Sequence, residues 1–160
     1  SAKEIMKTVV RLAGLADLDL LAHVAGEPFD DPLDLAATRR FLSDPNHMLV
    51  IALRGEAIVG FISSVIYVHP DKPAPECWIN EVGVSAAARR EGIASRMLAA
   101  TLDHARVLGC GEAWVLTERS NPAAMRLYAS LGGEEGSPDI AMFSYDLRGL
   151  SSHNAQKSGD

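Results

Sequence analysis

Glu81–Met97 reads EVGVSAAARREGIASRM, and its three parts are a strand end, a turn and a helix start. The strand finishes near Val84. A short loop carries Arg89, Arg90, Glu91, Gly92, Ile93 and Ala94, and the apolar spacing of a long helix begins there. Gly92 and Ala94 remove side-chain bulk where a ligand would approach the backbone. The unpaired N–H groups of a helix start carry about half a positive elementary charge, which suits a pyrophosphate. Arg89 and Arg90 add formal charge to the same turn. Two other phosphate readings fail, because there is neither a GxxxxGK[ST] nor a GxGxxG after a strand. On this stretch alone, a plain tight connection from strand to helix remains the competing reading.

Working outward, Glu76–Val84 is the strand that feeds the turn and Glu91–Leu108 the helix that leaves it. Ala94, Met97, Leu98, Leu102, Ala105 and Leu108 fall on one arc of that helix, with Ser95, Arg96, Asp103 and Arg106 opposite. Upstream, His69–Pro75 holds three prolines and is a loop. His47–Leu53 and Ala57–Val68 are apolar strands joined at Arg54-Gly55-Glu56, hairpin length and chemistry. Ile5–Leu12 reads as a first strand, followed by helices over Leu15–Ala25 and Pro32–Leu42. Downstream, Glu112–Thr117 is a strand, and Asn121-Pro122 opens a helix that stops at Gly132-Gly133. Ile140–Leu147 alternates as a last strand should. The order β-α-α-β-β-β-α-β-α-β predicts an α/β fold: a mixed, mostly antiparallel sheet with helices on both faces.

The 160 residues make one domain, expected over residues 1–148, with a polar tail over 149–160 expected to be disordered. At 48% hydrophobic and 22% charged, the chain has enough apolar surface for a core without staples. Fifteen basic against twenty-one acidic residues leave a net charge of −6, which argues against nucleic acid and anionic membranes as partners. Cys77 and Cys110 have no metal-ligand or disulfide pattern around them, and no metal is expected. No apolar run approaches a membrane span and no leader pattern opens the chain, so a reducing, cytoplasmic compartment is the expectation.

Two stretches together identify a family. Arg89, Gly92 and Ala94 match the [R/Q]-x-x-G-x-[G/A] signature of the GCN5-related N-acetyltransferases. One strand later, Asn121–Gly132 (NPAAMRLYASLG) resembles the family's N-x-x-A-x-x-L-Y-x-x-x-G helix. The resemblance runs from about Val9 to Leu147. It implies acetyl-CoA as co-substrate, with the pyrophosphate on the backbone amides of Arg89, Arg90, Glu91, Gly92, Ile93 and Ala94 and with Ser95 just beyond. It implies a pantetheine arm beside Val82, Gly83 and Val84, in a V-shaped splay between that strand and the next. Gly83 then serves a close approach or a bulge.

Transfer to an amine needs a group to take its proton and one to protonate the departing thiolate. Glu81 is the expected base; strand alternation puts it on the face of Cys77 and Ile79. A solvated strand-end glutamate is the competing reading. Tyr128 lies on the apolar face of its helix, where composition makes it core. The resemblance gives it a second reading, the general acid near the sulfur. Asn121 is an N-cap first and a contact to the cofactor arm second.

By the same resemblance, Glu27, Asp30, Asp31, Glu76, Glu81 and Glu118 would line an acceptor mouth suited to a multiply charged amine; polar loops of a generally acidic chain are the competing reading. The pieces Gly26–Asp31, Tyr67–Pro70 and Glu76–Val84 are similar to the aminoglycoside 3-N-acetyltransferases of the superfamily. That group usually has aspartate where Glu81 stands. Gly133 departs from an aromatic or branched residue. The expectation is acetylation of an aminoglycoside 3-amino group. A polyamine, peptide or protein amine acceptor, or a non-catalytic acyl-CoA-binding module, are the alternatives. Many proteins of the superfamily pair through C-terminal strands, so a homodimer through Ile140–Leu147 is a further expectation.

Overall fold

The computed structural model describes residues 7–24 and 26–149. Five strands form one sheet in chain order: β1 (Thr8–Leu12), β2 (His47–Arg54), β3 (Ala57–Tyr67), β4 (Glu76–Val84) and β5 (Glu112–Val115). The first four are antiparallel neighbours and β5 lies parallel to β4. That mix follows from the connections, since short loops join β2 to β3 and β3 to β4 while a helix carries the chain from β4 to β5.

The two faces of the sheet bury different helices. Met48, Val50, Ala52, Ile62, Ile66, Cys77 and Ile79 face α3 (Ile93–Val107), which sinks Ile93, Met97, Leu98 and Ala105 against them. Leu127 and Tyr128 of α4 (Pro122–Ser130) pack on the same side. Leu49, Ile51, Leu53, Ile58 and Phe61 point the other way, toward α1 (Leu18–Ala22) and α2 (Leu35–Ser43). Strict alternation along β2 therefore feeds two cores, one on each face of the sheet.

Several boundaries differ from expectation. The first helical stretch is a 3-10 turn over Leu15–Asp17 followed by the single short α1. Asp34, not Pro32, begins α2, because its carboxylate accepts from Ala37 N–H at 2.8 Å. The long helix starts at Ile93 behind Gly92, and Leu108 lies outside the core, 48% exposed.

Ile140–Leu147 forms no strand. Ile140, Met142, Phe143, Tyr145 and Leu147 are each at least two-thirds exposed or nearly so, from 66% to 86%. The reason is the lack of a partner: among the described residues the sheet ends at β5, and a segment without a neighbour has nowhere to place its N–H and C=O groups except in water. The expected polar tail, Gly149 apart, lies outside the described residues, as do the first residues of the expected first strand.

Candidate active site

The pairing of β4 with β5 stops early. Glu76–Ile79 pair with Glu112–Val115, and Asn80–Val84 continue with no neighbour on that side. The two strands diverge there, forming the expected splay. A cavity of about 450 Å³ fills it, lined by Val82, Gly83, Val84 and Ala94 on one wall. Val115, Leu116, Thr117, Asn121, Leu127 and Tyr128 line the other.

The turn at the cavity's end is built for an anion. Gly92 caps α3 with φ +74°, a left-handed conformation that L side chains rarely adopt. No side chain caps the helix, so its first amides are unclaimed. Arg90 is also left-handed, at φ 65°. The acyl carrier implied by the sequence is acetyl-CoA, and these residues fit its diphosphate. Ile93 is buried in the core, so only its backbone can take part. The Glu91 carboxylate is engaged by Arg54 at 2.6 Å, and Arg89 Nε donates to Val84 O at 3.2 Å, bracing the turn.

A second cavity, of about 420 Å³, opens on the α1–α2 side. Phe29, Asp30, Asp31, Asp34, Phe41, Ser63, Asn80 and Glu81 are among its lining residues. Phe29 stacks on Phe61 at 4.1 Å between ring centroids, making an apolar floor. Asp30, Phe61, Asn80 and Glu81 line both cavities, so the two spaces meet at these four residues.

The placement of Glu81 corrects the alternation argument. Ser63 lies opposite Glu81 while Ser64 lies opposite Ile79, so Asn80 is an extra residue in a β-bulge. The bulge shifts every later residue to the opposite face. Cys77 and Ile79 face α3, and so do Val82 and Val84. Glu81 is turned to the face of Ser63 and Phe61, toward the second cavity. The sequence carries the signal, since apolar positions move from odd (77, 79) to even (82, 84) across Asn80.

Gly83 is therefore not the bulge; it serves the close approach. A Cβ there would come within 2.6 Å of Pro28 O and of the Phe61 ring. The segment Glu27–Asp31 crosses β4 at this point. The Glu27 carboxylate accepts from Ala86 N–H at 2.9 Å and lines neither cavity, so it straps the crossing in place. Glu76 is also elsewhere: it sits at the far end of β4, 8% exposed, with His69 and Lys72 on its carboxylate. Glu118 is exposed, accepts from Ser120, and lines neither cavity. Of the six expected acidic lining residues, the cavities bring together Asp30, Asp31 and Glu81.

Tyr128 is half-buried and burial pushes its phenol up from the ordinary value, so it stays protonated well into the alkaline range. Asn121 is the N-cap expected of it. Its Oδ1 accepts from Ala124 N–H at 3.1 Å, and it lines the first cavity. Gly133 has a packing reason, since a Cβ would lie 2.7 Å from Tyr128 O, where its own N–H donates.

Residues 12–132 match the model of the Acetyltransferase (GNAT) family. The chain belongs to that family. It is an acyltransferase, and family members use acetyl-CoA. An aminoglycoside N(6')-acetyltransferase type 1 of Serratia marcescens is 30% identical over 116 residues, 69% of this chain and 77% of the relative. Among solved structures, an aminoglycoside acetyltransferase from an uncultured soil metagenomic sample superposes with TM-score 0.74 at 22% identity, covering 88% of this chain and 97% of its own. An AAC(6')-Iy aminoglycoside N-acetyltransferase in complex with CoA gives TM-score 0.72 at 20% identity, covering 88% and 95%. These likenesses show the GNAT fold.

Proposed function

We propose that this GNAT protein transfers acetyl from acetyl-CoA to an amine of an aminoglycoside. The observation that carries the reading is the meeting of two unlike cavities at Glu81. One runs from the unclaimed amides of α3 past Val82–Val84 to Tyr128, a shape for an acyl carrier. The other is floored by aromatic rings and edged by Asp30, Asp31 and Glu81, a shape for a polycationic ring system. The relative's printed activity points to the same acceptor class.

In this reading Glu81 takes the proton from the attacking amine, directly or through a water, and Tyr128 gives one to the leaving sulfur. Val82 and Val84 offer backbone groups to the pantetheine arm. Asp30 and Asp31 hold the acceptor's other ammonium groups. The 3-amino group is what the resemblance to the 3-N-acetyltransferases implies, and the N(6') activity of the Serratia relative favours the 6'-amino group as a second reading. The same proposal pairs two copies through the unpartnered Ile140–Leu147 segment.

Release of free thiol from acetyl-CoA, followed over a panel of aminoglycosides, polyamines and short peptides, tests the acceptor. Turnover with aminoglycosides alone is expected, and NMR of the product assigns the acetylated nitrogen. No turnover with any aminoglycoside would remove the acceptor claim, and acetyl-CoA binding without turnover on any amine would favour a binding module.

A further inference from the structure

Glu27, one of the expected acceptor-lining acids, lines neither cavity, and its exposed carboxylate turns instead to a backbone donor. The bond from Ala86 N–H, at 2.9 Å, links positions 59 apart in the chain. Among the described residues, it is the one hydrogen bond between residues 26–33 and the rest of the protein. The segment's other two holds are a packing contact and a ring stack. Pro28 O sits against Gly83, and Phe29 lies on Phe61. Neither fixes direction as a hydrogen bond does, and a bond to an ionised group is roughly twice as strong as a neutral one.

The residues that follow Glu27 need such a hold. Asp30 and Asp31 line the second cavity, with Asp34 and Glu81 also on its wall. Four carboxylates around one space repel one another whenever no cation lies between them. That repulsion pushes the segment carrying Asp30 and Asp31 away from β4, which carries Glu81. Ala86 opens the 3-10 turn Ala86–Ala88 right after β4, so the bond to Glu27 joins the acidic segment to the strand of Glu81. We propose that Glu27 is a positioning residue for the acceptor, holding Asp30 and Asp31 where a polycationic ring system meets Glu81; the proposal rests on the aminoglycoside reading of the second cavity.

The tie has two ends, and each can be cut separately in the full chain. Glu27→Ala removes the carboxylate. Ala86→Pro removes the N–H and leaves Glu27 intact. Proline suits the first position of a helical turn, and Ser85, at φ −56° and ψ 142°, already has the backbone that a following proline requires. Either change should raise acceptor KM about tenfold, with kcat and calorimetric acetyl-CoA affinity within about threefold of the unsubstituted protein. The two together should do no more than either alone. Glu27→Gln keeps an oxygen for Ala86 N–H and should recover most of the loss. Among aminoglycosides, the rise in KM should be larger for those with more amino groups, because Asp30 and Asp31 are what the tie places.

An unchanged acceptor KM in both Glu27→Ala and Ala86→Pro would overturn the proposal. So would a Glu27→Gln as poor as Glu27→Ala beside a normal Ala86→Pro, which makes Glu27 a direct contact of acceptor charge. An equal fall in kcat with every acceptor, together with a lower melting temperature, would make the bond a matter of stability and overturn it too. If the unsubstituted protein acetylates aminoglycosides while both cuts match it, this inference alone falls. If the unsubstituted protein acetylates nothing, it falls together with the functional reading.

Discussion

Glu81 and Tyr128 approach the same cavity from opposite walls, one on β4 and one on α4, and their environments differ. Glu81 stands at the junction with Asp30 nearby. Glu81→Gln keeps the size and removes the proton acceptor, so kcat should fall about 10²–10⁴-fold with acetyl-CoA affinity intact. Stopped-turnover assays with calorimetry read both quantities, and an unchanged kcat returns Glu81 to the role of a surface carboxylate. Tyr128 has its pKa raised by burial. A general acid works only while protonated, so activity should persist above the ordinary tyrosine range and then decline. Tyr128→Phe should lower kcat and abolish that alkaline decline, with the melting temperature little changed. A profile identical to the unsubstituted protein's would leave Tyr128 as packing only.

At the scale of elements, the features legible in the sequence are those that a local chemical signal fixes. The hairpin at Gly55, the Asn121 cap and the Gly92 turn each depend on two or three neighbouring residues, and each was legible. Glu81 was identified as a candidate, but its direction was not, because alternation assumes an uninterrupted ladder and Asn80 interrupts it. Glu76 looked equivalent to Glu81 in composition. Only the three-dimensional position of His69 and Lys72 reveals it as a paired carboxylate. Ile140–Leu147 has strand chemistry, and a strand also needs a neighbour, which no single-segment pattern contains.

The start of the chain offers a pH test at the same scale. Asp17 accepts two bonds from the Arg11 guanidinium, at 2.6 and 2.8 Å, and one from Gly14 N–H at 2.9 Å. The guanidinium bond, above all, holds its pKa below the ordinary carboxylate value, against desolvation. A lowered folded-state pKa contributes stability above the unfolded value, and that contribution is lost as pH falls through the folded one. Asp17→Asn should cost about 1 kcal/mol at neutral pH, or roughly 2–4 °C in Tm. The gap between the two melting curves should close below the carboxylate range. A gap that stays constant with pH would show that charge is not its source.

The whole molecule is asymmetric in how well its ends are finished. The β2–β3 centre is buried on both faces, whereas no residue of β5 or α4 is fully buried. Among the described residues β5 has no neighbour on its outer side and Ile140–Leu147 has no strand partner, so each copy that offers a segment also offers an edge. Such an exchange closes at two copies, leaving no open ends. Five exposed apolar side chains from each copy, at roughly 150–250 Å² for the aromatic ones, approach the area of a stable interface. Light scattering during size exclusion should therefore give twice the chain mass. Truncation after Leu131 should give the single mass and an α4 that melts earlier. A monomer from the intact chain would overturn the pairing.

The crossing at Gly83 sets limits on how this protein can change. Pro28 O and the Phe61 ring leave no room for a side chain there, and Glu27 ties the crossing to Ala86, just ahead of the anion turn. Residues 27, 28 and 83 are thus tied to β4 and the turn that follows it. Asp31–Asp34 and, from α2, Ala37 and Thr38 edge the other space. A change of acceptor is therefore expected to alter that rim while the crossing stays fixed.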